Sequence, residues 1–245
     1  MHTIPLDLVL DVGNTRTKVG LFRGRRLLRA GVMRSGDDGA LKEFMSGDRP
    51  DRIALGSVAA PDPNWEVHLR TIAPTFLLTG GSSAPLSSTY ATPLTLGVDR
   101  LANAVGAKAM FPGRPVLAID LGTCVTYDVV SADGVYQGGA ISPGMTMRSR
   151  AMNDHSARLP LVAPADDTAL IGVDTKTSLA SGVHFGIVHE IQGYIHHLAH
   201  QYPGMAVVLT GGDGLRFARA LKSGIFAHPF LTLEGLHAIL LHQGH

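Results

Sequence analysis

Cysteine is nearly absent: Cys124 is the single one in 245 residues. That excludes a disulfide framework and a thiolate zinc cluster. No uninterrupted apolar run approaches the roughly 18 to 20 residues of a membrane span, and the N-terminus carries no basic stretch followed by an apolar segment of signal length. A cytoplasmic location without membrane attachment is therefore expected. Charge of one sign is also lacking, since 21 Lys and Arg stand against 20 Asp and Glu for a formal charge of +1. No global field points to nucleic acid; the cluster Arg23, Arg25, Arg26 and Arg29 reads as the charged edge of a hairpin. Three motifs are missing as well. There is no glycine loop ending in Gly-Lys-Ser/Thr and no G-x-G-x-x-G, and His189 with Glu190 fails to complete H-E-x-x-H because Gly193 occupies the last position. His189, His196 and His200 share one face of a helix and read as a polar surface or interface.

What is present begins at residues 11–20, DVGNTRTKVG, behind the run LDLVL. Glycine and asparagine suit a hairpin turn, which accounts for Gly13 and Asn14. Asp11 needs a further reason, because a charge at the end of a core strand is costly unless compensated. A hydrated cation on one side, and a phosphate held by the turn amides with Lys18 nearby, would compensate it. The pattern recurs at residues 118–130, AIDLGTCVTYDVV, where Asp120, Gly122 and Thr123 echo Asp11, Gly13 and Thr15. Two such turns point to a duplicated domain whose loops grip a polyphosphate.

Hydrophobic content of 45% with 17% charged residues fills two ordinary cores. Strand and helix patterns predict β-β-β-α-β-α-β for the first half. After a Ser/Thr/Pro-rich linker at 81–93 come a helix from about Val98 to Phe111 and a second β-β-β set. Helical sequence follows to the end, broken by MAVVLTGG. This order predicts an α/β protein of duplicated ribonuclease-H-like (actin-like ATPase) domains, each a mixed sheet flanked by helices. The expected halves are 1–113, with the first phosphate loop, and 114–245, with the second. TGGDG at 210–214 precedes a helix, so Gly211 and Gly212 would let an adenine or ribose lie on the backbone; a plain strand-to-helix turn explains it equally well. GGAISPGM at 138–145 reads as a rigid wall or a helix start. Asp99 and Arg100 fall at a predicted helix start, where Asp needs no chemistry to be favoured.

DVGNTRTK, Tyr90 with LGVDR, DLGT, GGAISPG, GVDTKTSLASG and TGGDG follow one another in this chain, and in that order they resemble the type III pantothenate kinases. Single motifs are shared with acetate and sugar kinases, actin and Hsp70-type ATPases; LG-x-DR in so short a chain is the specific element. The resemblance implies ATP bound by Asp11, Val12, Gly13, Asn14, Thr15, Arg16, Thr17 and Lys18 together with Gly122 and Thr123, its adenosine end near Gly211 and Gly212. It implies pantothenate held by Tyr90, Gly97, Val98, Asp99, Arg100 and Thr175, with Asp99 as base toward the primary hydroxyl. Asp120 would bind a monovalent cation, potassium or ammonium, and Asp11 would act through hydrated magnesium. Asp174 stands where the family usually has Asn, which leaves Thr175 against Thr177 open. A homodimer with the substrate pocket near the subunit interface is implied too, with the helix from about Thr175 to His200 as the contact. Another small-molecule kinase would keep both loops without needing Tyr90 and LGVDR, and a non-catalytic ATP-binding regulator could lose Asp99. Cys124, on a strand leaving the second loop, is expected to be buried behind Thr123.

Overall fold

The computed structural model describes residues 4–13, 16–59, 62–163, 168–221 and 224–244. In chain order the elements are β1 (Leu6–Val12), β2 (Arg16–Arg23), β3 (Arg26–Arg34), α1 (Asp38–Met45), β4 (Arg52–Ser57), α2 (Pro63–Ile72), β5 (Thr75–Leu78), β6 (Ser87–Ser88), a 3-10 turn (Pro93–Thr95) and α3 (Val98–Met110). There follow β7 (Val116–Leu121), β8 (Cys124–Val130), β9 (Val135–Pro143), α4 (Met145–Asp154), α5 (Thr175–Gln201), β10 (Ala206–Thr210), α6 (Gly214–Ala220), β11 (Ile225–Ala227) and α7 (Leu231–His242). They form two compact units. The first comprises Met1–Met110, Gly134–Tyr136 and Phe230–His245; the second comprises Phe111–Asp133 and Gln137–Pro229. No helix among the described residues is long and apolar enough to cross a membrane.

The first unit carries a sheet in the order β3-β2-β1-β4-β5. β1 is antiparallel to β2 and parallel to β4. In the second unit the order β9-β8-β7-β10-β11 repeats this arrangement, with β7 antiparallel to β8 and parallel to β10. The duplication read from two Asp-x-Gly turns is thus a duplication of topology, and the fold is the paired mixed-sheet architecture expected. β11 departs from the helical reading of the C-terminal stretch. The helix expected over LRFARALKSG stops at Ala220 with Leu221 as its cap, and the three residues of β11 then pair in parallel with β10. Three residues are too few for a period of two to show.

Side chains along β1 alternate between the faces of the sheet. Leu6, Leu8, Leu10 and Val12 join Leu41 of α1 and Trp65 and Leu69 of α2 in one core. The opposite face presents Asp7, Val9 and Asp11 toward α7. There α3 and α7 meet backbone to backbone: a Cβ added at Gly235 would lie 1.8 Å from the carbonyl oxygen of Ala102, and Thr232 donates to Asn103 Oδ1 at 2.8 Å. In the second unit Leu117, Ile119 and Leu121 face Val183, Ile187 and Ile191 of α5 and Phe217 of α6. Asp120, of opposite parity, faces away from that core. The same parity rule corrects the expectation for Cys124. It is half-buried, because Val125, opposite Leu121 in register, fills the core position.

Asp7 lies inside the run LDLVL and has no solvent exposure. Arg52 Nε and Nη2 donate to its two oxygens at 2.8 and 2.7 Å, and His237 Nε2 lies 2.9 Å from Oδ2 with its ring stacked on Phe22 at 4.1 Å. Burial pushes the carboxyl up, and the bonds and charge of His237 and Arg52 overcome this and hold it below the ordinary carboxylate range. A carboxyl depressed in the folded state contributes stability above its unfolded value and loses it as pH falls through the folded one. Urea melts should therefore show a wild-type contribution that drains away only in acid. Asp7→Asn should cost about 3 kcal/mol at neutral pH, the lower end for breaking a buried ion pair, and flatten that acid dependence. An unchanged midpoint would mean that the triad holds nothing.

Candidate active site

In the first unit the turn after β1 is closed by Gly13 N–H donating to the carbonyl of Arg16 at 3.0 Å. It is braced from β3: Thr17 Oγ1 donates to Ser35 Oγ, which donates to the carbonyl of Gly13, both at 3.1 Å. The Thr17 hydroxyl is engaged in this brace and Val12 is a core residue. Arg16 is exposed, and Asn14 and Thr15 lie outside the described residues. Asp11 pairs in register with Lys18, whose Nζ stands 3.8 Å from Oδ2. At its other side Asp11 pairs with Gly56 of β4. A Cβ added at Gly56 would lie 2.8 Å from Leu236 and 3.4 Å from Val98. The N-terminal turn of α3 is thereby seated on the face that presents Asp11.

That turn holds the predicted acceptor residues. Leu101 N–H donates to the carbonyl of Gly97 at 3.2 Å, and Asp99 Oδ1 accepts from Arg100 N–H at 2.8 Å. A Cβ added at Gly97 would lie 2.4 Å from Asp99 Oδ1, so glycine is what lets the carboxylate fold back over the chain. The guanidinium of Arg100 stands 5.9 Å from the Tyr90 ring centroid, and Tyr90 packs on Tyr136 at 5.8 Å. Tyr90, Gly97, Val98, Asp99 and Arg100 are thus one cluster beside Asp11.

In the second unit three segments converge on the turn after β7. Gly122 N–H donates to the carbonyl of Cys124 at 3.0 Å, Gly144 N–H to that of Thr123 at 3.1 Å, and Asp213 N–H to that of Leu121 at 3.0 Å. A Cβ at Gly144 would stand 2.4 Å from the oxygen of Gly122 and 2.6 Å from that of Thr123. Gly211 has φ of +87° and is seated against Leu121, where a Cβ would lie 2.5 Å from the carbonyl carbon and 2.4 Å from Asp120 Oδ1. Gly212 meets no such constraint, and a Cβ there would touch nothing within 4 Å. The three motifs DLGT, SPG and TGGDG therefore form one loop cluster around Asp120, Gly122, Thr123 and Gly211.

Thr175 opens α5 and is exposed; no contact joins it to the loop cluster. The capping box of that helix escaped the sequence reading. Asp174 Oδ1 accepts from Thr177 N–H at 2.8 Å, and Thr177 Oγ1 accepts from Asp174 N–H at 3.0 Å. The Thr177 backbone bond is the chief cause holding the Asp174 carboxyl below its usual value. Asp-x-x-Thr ahead of an apolar stretch was the available signal.

Paired Asp-x-Gly turns on duplicated mixed sheets are the arrangement of the actin-like ATPase fold. The profile of the type III pantothenate kinase family matches residues 7–197. A type III pantothenate kinase of Phocaeicola vulgatus is 40% identical over 238 residues, covering 96% of this chain and 98% of that one. One of Bacteroides fragilis is 39% identical over 236 residues, covering 96% and 97%. This chain belongs to the type III pantothenate kinase family. Among solved structures, a Campylobacter jejuni protein described as a Baf-family transcriptional activator superposes with a TM-score of 0.63 at 20% identity over 97% and 98% of the two chains. A glucokinase of Streptomyces griseus superposes at 0.52 with 15% identity over 98% and 100%. These two establish the fold alone.

Gly211→Ala should lower stability by about 2 kcal/mol through the strained φ and should weaken nucleotide binding by displacing Asp120 or Leu121. Chemical denaturation and titration with a non-hydrolysable ATP analogue measure the two effects. Wild-type values in both would show that the close seating of Gly211 is dispensable.

Proposed function

We propose that the chain phosphorylates the primary hydroxyl of pantothenate with ATP, giving 4'-phosphopantothenate, the first step of coenzyme A biosynthesis. The observation that carries this reading is the placement of Asp99, at the start of α3, folded over Gly97 on the same face of the sheet as Asp11, with Arg100 and Tyr90 beside it. Another kinase of this fold has no need of that cluster.

Residue roles follow from chemistry. Phosphoryl transfer passes through a loose transition state, so the protein chiefly aligns the hydroxyl, neutralises phosphate charge and accepts a proton late. Asp99 orients the hydroxyl and takes its proton. Tyr90, Gly97, Val98, Arg100 and Thr175 hold the rest of pantothenate; Thr175 is favoured over Thr177 because the latter's hydroxyl is engaged in the helix cap. The first-loop residues Asp11, Val12, Gly13, Asn14, Thr15, Arg16, Thr17 and Lys18 and the second-loop residues Gly122 and Thr123 are assigned to the phosphates, Gly211 and Gly212 to the adenosine end. Magnesium keeps several waters and needs only one or two carboxylates besides phosphate. The Asp11 carboxylate, at a strand end with Lys18 Nζ at 3.8 Å, is assigned to such a hydrated ion, and Asp120, close to the Gly211 and Gly122 backbone, to a monovalent cation, potassium or ammonium. When bound, these ions supply positive charge to the phosphate oxygens. The reading includes a cytoplasmic homodimer with α5 as the contact and the substrate pocket near the interface. Each of the two units supplies one phosphate loop.

A coupled ADP-release assay across acceptors tests the assignment: turnover with pantothenate, and none with sugars or acetate, is expected. ADP formed only with sugars or acetate would indicate a different kinase of this fold, and none with any acceptor a nucleotide-binding regulator. Asp99→Asn should bind ATP normally and lose about 10² to 10⁴ in turnover; near-native turnover at saturating pantothenate would reduce Asp99 to a helix-start residue. Replacing potassium by sodium at matched ionic strength should slow the wild type, whereas Asp120→Asn should be slow in both salts. Equal wild-type rates would remove the cation site.

A further inference from the structure

Glu190 sits midway along α5, and its carboxylate ties together three elements of the second unit. Oε1 accepts from Tyr127 Oη of β8 at 2.8 Å and from Ser142 Oγ of β9 at 2.5 Å; Oε2 accepts from Arg148 Nη2 of α4. Arg148 in turn donates from Nε to the carbonyl of Pro143 at 2.7 Å and from Nη2 to Ser142 Oγ at 3.3 Å. One helical turn on either side the same face of α5 serves the same cluster. Tyr194 stacks on Tyr127 at 4.1 Å, and a Cβ added at Gly186 would already touch Arg148 at 3.4 Å. Burial pushes the Glu190 carboxyl up, but the bonds from Ser142, Arg148 and Tyr127 and the charge of Arg148 hold it below its usual range.

The segment so fixed, Ser142 and Pro143, leads directly into Gly144, whose N–H donates to the carbonyl of Thr123 and whose Cα is packed against the oxygens of Gly122 and Thr123. Gly122 has no side chain and Thr123 is exposed, so the main chain of Gly144 lying against both is a principal support of this turn.

We propose that Glu190 is a positioning residue for the nucleotide: from α5, through Ser142 and Arg148, it clamps the 142–144 turn onto the Gly122–Thr123 loop and so sets the geometry in which that loop meets phosphate. This rests on the assignment of Gly122 and Thr123 to ATP. Glu190 touches neither substrate, and its effect is confined to the nucleotide side. A brace serving only the fold would move stability and leave substrate affinities alone.

The experiment compares Glu190→Gln, Arg148→Lys and Thr123→Val with wild type in three measurements: the dissociation constant of AMPPNP by calorimetry, the separate KM values for ATP and pantothenate, and the melting temperature. Loss of the charge-assisted bonds in Glu190→Gln should weaken AMPPNP binding and raise the ATP KM about tenfold, while the pantothenate KM stays within about twofold. Arg148→Lys, which keeps the charge and loses the fork reaching Ser142 and Pro143, should shift the same two values in the same direction, and it decides the matter if Glu190→Gln fails to fold. A lowered melting temperature with wild-type AMPPNP affinity would overturn the proposal, as would equal shifts in both KM values. Thr123→Val separates the two levels. If it weakens AMPPNP and the folded Glu190 or Arg148 variant does not, the phosphate-loop reading stands and the role of Glu190 falls; if Thr123→Val binds AMPPNP normally, both fall.

Discussion

Main chain lying directly on main chain is the constraint on which the loop cluster of the second unit and the α3–α7 contact of the first depend. A phosphate-binding turn built of glycine and short polar residues has little side-chain surface with which to anchor itself, so its position must come from backbone contacts. In the second unit Gly144 and Gly211 approach Gly122, Thr123 and Leu121 more closely than any Cβ permits. In the first, α7 is drawn onto the α3 backbone at Gly235, while Gly56 of β4 makes room for the side chains of Leu236 and Val98. Glycine loses the most conformational freedom on folding, and the turn hydrogen bonds from Gly144 N–H, Asp213 N–H and Gly122 N–H offset part of that cost. Packed cores transmit rather than absorb displacement. A methyl group added at Gly144, Gly211 or Gly235 therefore has to displace the main chain it meets.

The carboxylates on the two central strands divide by where they sit along the strand. Asp7 and Asp11 share one face of β1 and flank Val9. Asp7 is covered by α7 and neutralised within the protein by Arg52 and His237. Asp11 stands at the C-terminal end of the strand, with Lys18 at a longer 3.8 Å. Asp120 occupies the matching place on β7, and each sheet buries its apolar cluster on the opposite face. Taking a charge from water is costly unless it is paired. The fully covered carboxylate of Asp7 therefore carries its partners with it. Charge is structural at one end of β1, and the proposed function gives it a chemical role at the other.

Much of this was legible in the sequence because it is local. Alternation of apolar residues gave β1, β2 and β3, the repeat of Asp-x-Gly gave the duplication, and LGVDR was legible as a helix start, its assignment to the acceptor coming from the family resemblance alone. What escaped is nonlocal or too short to be periodic. Asp7 was absorbed into an apolar run, since nothing near it announces Arg52 or a histidine in the last helix. β11 is three residues long. Burial of Cys124 was read from its neighbours, whereas the parity of Val125 against Leu121 decides it. The Asp174 to Thr177 capping box was local and readable; attention to the substrate role of the threonines hid it. Glu190 looked like a failed metal motif, because its partners lie on β8, β9 and α4, far away along the chain.

The helix α5 gathers these threads in the second unit. Its first turn is locked by Asp174 and Thr177, which leaves Thr175 projecting at a defined point, and Glu190 is held by Tyr127, Ser142 and Arg148. Between Thr175 and Glu190 the rise is about 22 Å at the usual 1.5 Å per residue. A free helix of this kind would fray at its ends, but the cap fixes one end, the Val183, Ile187 and Ile191 stripe buries one side, and the carboxylate network pins the middle. The same rod therefore carries a threonine assigned to the acceptor in the proposed function and a carboxylate proposed to steady the Gly122–Thr123 loop. Phosphoryl transfer depends chiefly on alignment, so under those assignments the rigidity of α5 would serve both.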